Sequence, residues 1–237
     1  MGTDIRPRIL FARTAIPAVG VILAVIVSGL VLKSSAGWTS MEMDVLRQVN
    51  SAHTPQLDWV ALGIDWLFES AVATILVLLG TGSILLATRR PHAAIRFLLI
   101  VVIPTLGADA IKLLVHRARP DIPSLSHVLV LEPGGLSFPS GHTSFAACFF
   151  LGFIVATAGQ RWRPFLIAAA AVVVLGTAAS RVYLGVHYPS DVAASIVYSI
   201  AAVTLVEAAW LLVMSDWNER RSGLHAGPAN GGASDAR

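Results

Sequence analysis

Residues 14–32 read TAIPAVGVILAVIVSGLVL, nineteen positions without a charge. A helix crossing a bilayer needs about 17–25 predominantly apolar residues, each adding about 1.5 Å along the axis. Five further stretches have this character, at 70–88, 97–115, 143–160, 164–180 and 192–215. The charges inside them are Asp109 and Lys112 in the third and Glu207 in the sixth. Barrel strands are the wrong reading, because they alternate in polarity and run only about ten residues. The expected fold is all-α, a polytopic membrane bundle of six transmembrane helices.

Composition agrees. Of 237 residues, 55% are hydrophobic and only 13% charged, with a mean hydropathy of +0.72. A soluble domain carries about 25% charged residues, and so few charges would not cover a soluble fold of this size. The net charge of +3 does not indicate nucleic acid, because the basic residues sit in short clusters between apolar runs. The single cysteine, Cys148, excludes an internal disulfide framework and a cysteine-based zinc cage.

One domain is expected over 1–221, followed by a disordered cytoplasmic tail at 222–237, rich in Gly, Ala and Ser. The first stretch follows Arg6, Arg8 and Arg13 and precedes Ser34-Ser35-Ala36, which resembles a signal peptide. Its apolar run exceeds the usual length, so it reads as a retained anchor. Residues 33–69 read as an outer loop with an interfacial helix around 41–49. With the N-terminus inside, the inner segments hold eleven of the seventeen Lys and Arg residues and the outer ones six. The positive-inside rule then puts both termini in the cytoplasm of a cell-membrane protein.

Three polar clusters interrupt this pattern: KLLVHRARP at 112–120, PSGH at 139–142 and SRVYLGVHYPSD at 180–191. The predicted topology brings all three to the extracytoplasmic end of the bundle. Lys112 and Arg119 are seven apart and share a face if helical. With Arg181 they offer three cations, and an arginine fork matches phosphate oxygens. Ser140 suits a helix N-cap, and Gly141 lets backbone amides approach an anion. His187 precedes Asp191 by four residues, so a carboxylate can fix its tautomer and raise its basicity toward phosphorus. His142, at the start of a helix, is placed to protonate a leaving oxygen and then to activate water. Each cluster alone has a plain reading, as a helix cap, a snorkelling basic pair or a structural ion pair. All three together on one side call for a common function.

These residues resemble the signature motifs of the type-2 phosphatidic acid phosphatase superfamily: K-x6-R-P, P-S-G-H and S-R-x5-H-x3-D. Lys112, Arg119, Pro120, Pro139, Ser140, Gly141, His142, Ser180, Arg181, His187 and Asp191 fill every fixed position. The resemblance implies that His187 attacks phosphorus, Asp191 assists it, and His142 is the general acid and base. It implies that Lys112, Arg119, Ser140, Gly141 and Arg181 hold the phosphate, with no metal ion or other cofactor. The substrate class implied is a lipid phosphate or pyrophosphate, such as phosphatidic acid, phosphatidylglycerophosphate or a polyprenyl pyrophosphate. The expected partners are that substrate and the bilayer, with no nucleic acid and no obligate protein partner. The related haloperoxidases are larger and soluble, unlike this chain.

Two other functions use the same features. A transporter or flippase for anionic lipids would use Asp109, Lys112 and Glu207, and a non-catalytic relative would only bind phosphate. Neither needs a His187–Asp191 pair opposite His142. For sidedness, a cysteine introduced within 121–137 should react with an impermeant thiol reagent in intact cells, and one near Arg161 should not. The reverse labelling would invert the topology.

Overall fold

The computed structural model describes residues 6–132 and 135–225. In chain order its helices are α1 (Arg6–Ser34), α2 (Ala36–Asn50), α3 (Pro55–Leu67), α4 (Ser70–Thr88), α5 (Pro91–Val115), α6 (Gly141–Ala156), α7 (Arg163–Tyr183) and α8 (Pro189–His225). Among the described residues there is no strand, and the fold is an all-α bundle.

Local chemistry sets the boundaries. The Ser35 and Thr54 side chains accept hydrogen bonds from Trp38 N and Leu57 N and cap α2 and α3, and Pro55 opens α3. Ser140 does the same for α6 through Thr143 N. Arg89 and His116 close α4 and α5 in the left-handed conformation. Gly185, at φ +71°, turns the chain from α7 toward α8. A Cβ on Gly185 would run into Leu125 Cδ1, and the left-handed φ itself favours glycine there.

The structure bears on two expectations. Five helices, α1, α4, α5, α7 and α8, are long and apolar enough to cross a membrane. The expected span at 143–160 is a shorter apolar helix, α6, of 16 residues. Thr157 caps it, and Gly159 follows at φ +86° and ends the run. Sixteen residues rise about 24 Å, so α6 stands as a sixth, shorter apolar helix of the bundle. The tail expected from Ser222 begins inside α8, which continues to His225; residues 226–237 lie outside the described residues.

The segment between the first two spans also holds more order than a single interfacial helix. It forms α2 and α3, which pack against α7. α2 buries Glu42, Met43, Leu46 and Asn50, spaced along one helical face. Asn50 accepts from His127 N and donates to His127 O, joining α2 to the loop before α6. His53 stacks on Tyr183 at 4.0 Å, and Tyr183 Oη donates to Asp58 Oδ1 at 2.6 Å. These contacts tie the start of α3 to the end of α7.

Within the bundle, α6 packs against α4, α5, α7 and α8, while α1 lies mainly along α8. Glu207 of α8 accepts two hydrogen bonds from Arg96 of α5, so this charge has a partner within the bundle. Leu79, Leu86, Phe165 and Val172 point outward, as a lipid environment requires. Phe97 of α5, 1% exposed, fills the gap between Gly80 of α4 and Gly152 of α6. A Cβ on Gly152 would lie 2.9 Å from the Phe97 ring, whereas one on Gly20 of α1 would meet nothing within 4 Å. Gly152→Val should therefore cost about 1–3 kcal/mol by overpacking, read as a lower melting temperature in detergent. Gly20→Val should leave it unchanged; equal melting of both variants would refute this packing.

Candidate active site

Two serine hydroxyls align the second and third motifs. Ser195 Oγ on α8 donates to both Asp191 O (2.7 Å) and Ser140 O (3.1 Å). One turn later Ser199 Oγ donates to Ser144 O at 3.3 Å. Asp191, Ser195 and Ser199 are successive i, i+4 positions on one face of α8. That face meets the N-terminus of α6, so the Ser140–Gly141–His142 turn lies beside Asp191. At the other side of α8's start, the turn through Gly185 carries the chain from Arg181 to His187, with Val186 N donating to Arg181 O at 3.1 Å.

The first motif arrives differently from its expected form. α5 ends at Val115, and His116 at φ 56° breaks the helix between Lys112 and Arg119. The two cations do not share a helical face. They nevertheless reach one cavity, because Arg119 folds back and donates to Val186 O at 3.0 Å. Gly141 lies beside Lys112: a Cβ there would sit 3.4 Å from Lys112 Nζ, an ordinary van der Waals contact.

His187 and Asp191 are both buried, with His187 Nδ1 3.5 Å from Asp191 Oδ2. Burial holds the His187 imidazole below its ordinary pKa; Asp191 opposes that shift, and Arg119 and Lys112 reinforce it. A neutral ring at physiological pH follows. Asp191 is itself fixed. Its Oδ2 accepts from Tyr188 N at 2.9 Å and its Oδ1 from Arg117 Nη1 at 2.7 Å. Arg117 also donates to Glu42 Oε2 at 2.7 Å and lies 4.2 Å above the Tyr188 ring. Glu42 in turn accepts from Ser190 N and Ser190 Oγ.

Each of the three expected phosphate-holding cations faces a carboxylate. Lys112 Nζ lies 3.8 Å from Asp109 Oδ1, Arg119 pairs with Glu132, and Arg181 Nη1 pairs with Asp65. Several buried polar atoms have no hydrogen-bond partner: Arg181 Nη2, Arg119 Nε and His142 Nε2 among them. Orphaned buried donors carry a desolvation cost of about 1–3 kcal/mol each, and a phosphate would satisfy donors of this kind. Among the described residues, no group of three or more His, Cys, Asp and Glu is placed to hold a metal ion.

A cavity of about 440 Å³ joins these groups to the bundle interior. Its polar end carries Lys112, Arg119, Gly141, His142 and His187. Its other end is lined by side chains from α4, α5 and α6, including Val77, Val101, Leu106 and Phe145. Ser140 and Arg181 are fully buried and outside that lining.

The sequence reading missed Glu42, Asp65 and Glu132, and it gave Arg117 no role. Arg117 lay inside the first cluster, two positions before Arg119. Glu42 and Asp65 come from the segment read as an outer loop, where no spacing links them to motifs some 70 to 150 residues later. The one available signal was their charge, in a chain where charges are scarce.

Comparison with known proteins follows this geometry. A phosphatidylglycerophosphatase B of Bacillus subtilis is 31% identical over 146 residues, covering 58% of this chain and 68% of that protein. The decaprenylphosphoryl-5-phosphoribose phosphatase of Mycobacterium tuberculosis is 38% identical over 103 residues, covering 43% of this chain and 52% of that protein. The match thus spans about half the length of that mycobacterial relative. Among solved structures, a transmembrane PAP2 type phosphatidylglycerolphosphate phosphatase from Bacillus subtilis superposes with a TM-score of 0.65 at 22% identity, covering 84% of this chain and 96% of that one. LpxE of Aquifex aeolicus superposes with a TM-score of 0.53 at 23% identity, covering 69% of this chain and 93% of that one. These two likenesses establish a shared fold. The family model described as PAP2 superfamily matches residues 93–215, which contain all three motifs, and the chain belongs to that superfamily.

Proposed function

We propose that this chain is an integral-membrane phosphatase that hydrolyses a lipid phosphate or pyrophosphate through a phosphohistidine. The observation that carries this reading is the cavity itself. Its cationic end holds the two histidines, and its apolar end lies between bundle helices. A phosphate at one end with an acyl or polyprenyl chain along the other satisfies both. The relatives named as phosphatidylglycerophosphatase and decaprenylphosphoryl-5-phosphoribose phosphatase support the same class.

In this reading His187 Nδ1 faces Asp191, which leaves Nε2 for attack on phosphorus. The P–N bond forms as the bond to the leaving oxygen breaks, and His142 gives that oxygen its proton. His142 then takes a proton from water, whose oxygen attacks phosphorus. The P–N bond breaks, inorganic phosphate departs, and His187 returns neutral. Lys112, Arg119 and Arg181 neutralise the transferring group, while Ser140 and Gly141 present the α6 N-terminus to it. Such charge stabilisation can serve in place of a metal ion. The charge bias of the sequence supports a cell-membrane protein with cytoplasmic termini and an extracytoplasmic site.

Purified protein in detergent should release phosphate from phosphatidic acid, phosphatidylglycerophosphate or polyprenyl pyrophosphate. Its kcat/KM on such lipids should exceed that on glucose 6-phosphate, activity should persist in excess EDTA, and vanadate should inhibit. His187→Ala should abolish turnover. No release from any lipid phosphate would favour a transporter or binding protein, and a preference for the sugar phosphate would remove the lipid assignment.

A further inference from the structure

Asp65 belongs to none of the three motifs, yet it touches two of their residues. It lies on α3, with its side chain one quarter exposed. Its Oδ1 accepts from Arg181 Nη1 and lies 3.5 Å from His142 Nε2. Arg181 is fully buried, and its other arm, Nη2, is buried without a partner. Asp65 therefore occupies one arm of the guanidinium and leaves the second for an anion. It does not take the phosphate's place; it sets where the remaining donor points.

The same carboxylate answers an electrostatic problem at His142. A general acid must carry a proton when the leaving oxygen departs. The charged and titratable groups acting on His142 are Arg181 from α7, Asp65 from α3 and His187 from the turn before α8. Arg181, and His187 when protonated, oppose a second positive charge. Asp65 is the anion among them.

Resting on the proposed acid–base role of His142, we propose that Asp65 is a positioning residue for that step. It aligns His142 with Arg181 and favours the protonated imidazole, against burial and the Arg181 charge that disfavour it. Helix α3, within the segment expected to be an outer loop, is thereby part of the active site.

The test compares leaving groups. Asp65→Asn should lower kcat on a lipid phosphate toward the about 10²-fold loss at the lower end of general acid catalysis. On p-nitrophenyl phosphate, whose leaving group needs little protonation, the loss should be much smaller. Because His142 must be protonated for the first step, weakening its hold on the proton should move the basic limb of the kcat–pH profile to lower pH. Asp65→Glu should restore part of both. Near-equal losses on the two substrates with an unmoved limb would make Asp65 only an anchor for Arg181 and overturn the inference, as would wild-type activity. His142→Ala run alongside separates the two levels. If it shows the leaving-group dependence and Asp65→Asn does not, only the inference about Asp65 falls. If His142→Ala also lacks it, the acid–base assignment falls and takes the inference with it.

Discussion

Asp191 is wholly buried, and both its carboxylate oxygens are tied down. The rest of the site depends on that fixation. A charge taken out of water is costly unless it is paired and hydrogen-bonded. Arg117, 2% exposed, supplies the pairing, and Glu42, 3% exposed, completes Arg117's own. Removing one partner from such a buried pair typically costs about 3–5 kcal/mol. Three parts of the chain meet there: α2, the segment after α5, and the start of α8. The Asp191 backbone also accepts from Ser195, which holds Ser140 and so the start of α6. One residue thus fixes the orientation of His187 through its carboxylate and the approach of the second motif through its backbone carbonyl.

The same accounting of charge runs outward from this centre. Lys112, Arg119 and Arg181 each face a carboxylate, from Asp109, Glu132 and Asp65 respectively. Without such partners, three cations beside an apolar cavity would repel one another and bear a large desolvation cost. The pairings differ in burial. Arg181 itself is fully buried, while the Asp109 side chain is more than half exposed.

Much of this was legible in the sequence, and for identifiable reasons. Apolar runs of span length report helices directly, because in lipid every backbone group must be satisfied within its own segment. The three motifs report the site because their residues lie close together within each motif. Helix length was less legible: 143–160 reads as one uncharged stretch, but α6 ends at Ala156, with Thr157 as its cap and Gly159 at positive φ just beyond. The helical relation between Lys112 and Arg119 was also misread, since His116 adopts a left-handed cap that a spacing rule does not anticipate. Glu42 and Asp65 were illegible for a different reason. Their partners lie some 70 to 150 positions away in the chain, and only the docking of α2 and α3 onto the bundle brings them together. Glu207 was seen as an intramembrane charge, but its partner Arg96 appears only once α5 and α8 are packed.

The central claim is that His187 carries the phosphoryl group. Rapid quench with phosphorus-labelled substrate tests it most directly. The wild-type protein should yield an acid-labile, base-stable phosphoenzyme within a single turnover, and His187→Ala should yield none. A phosphoenzyme that forms normally in His187→Ala would contradict the account.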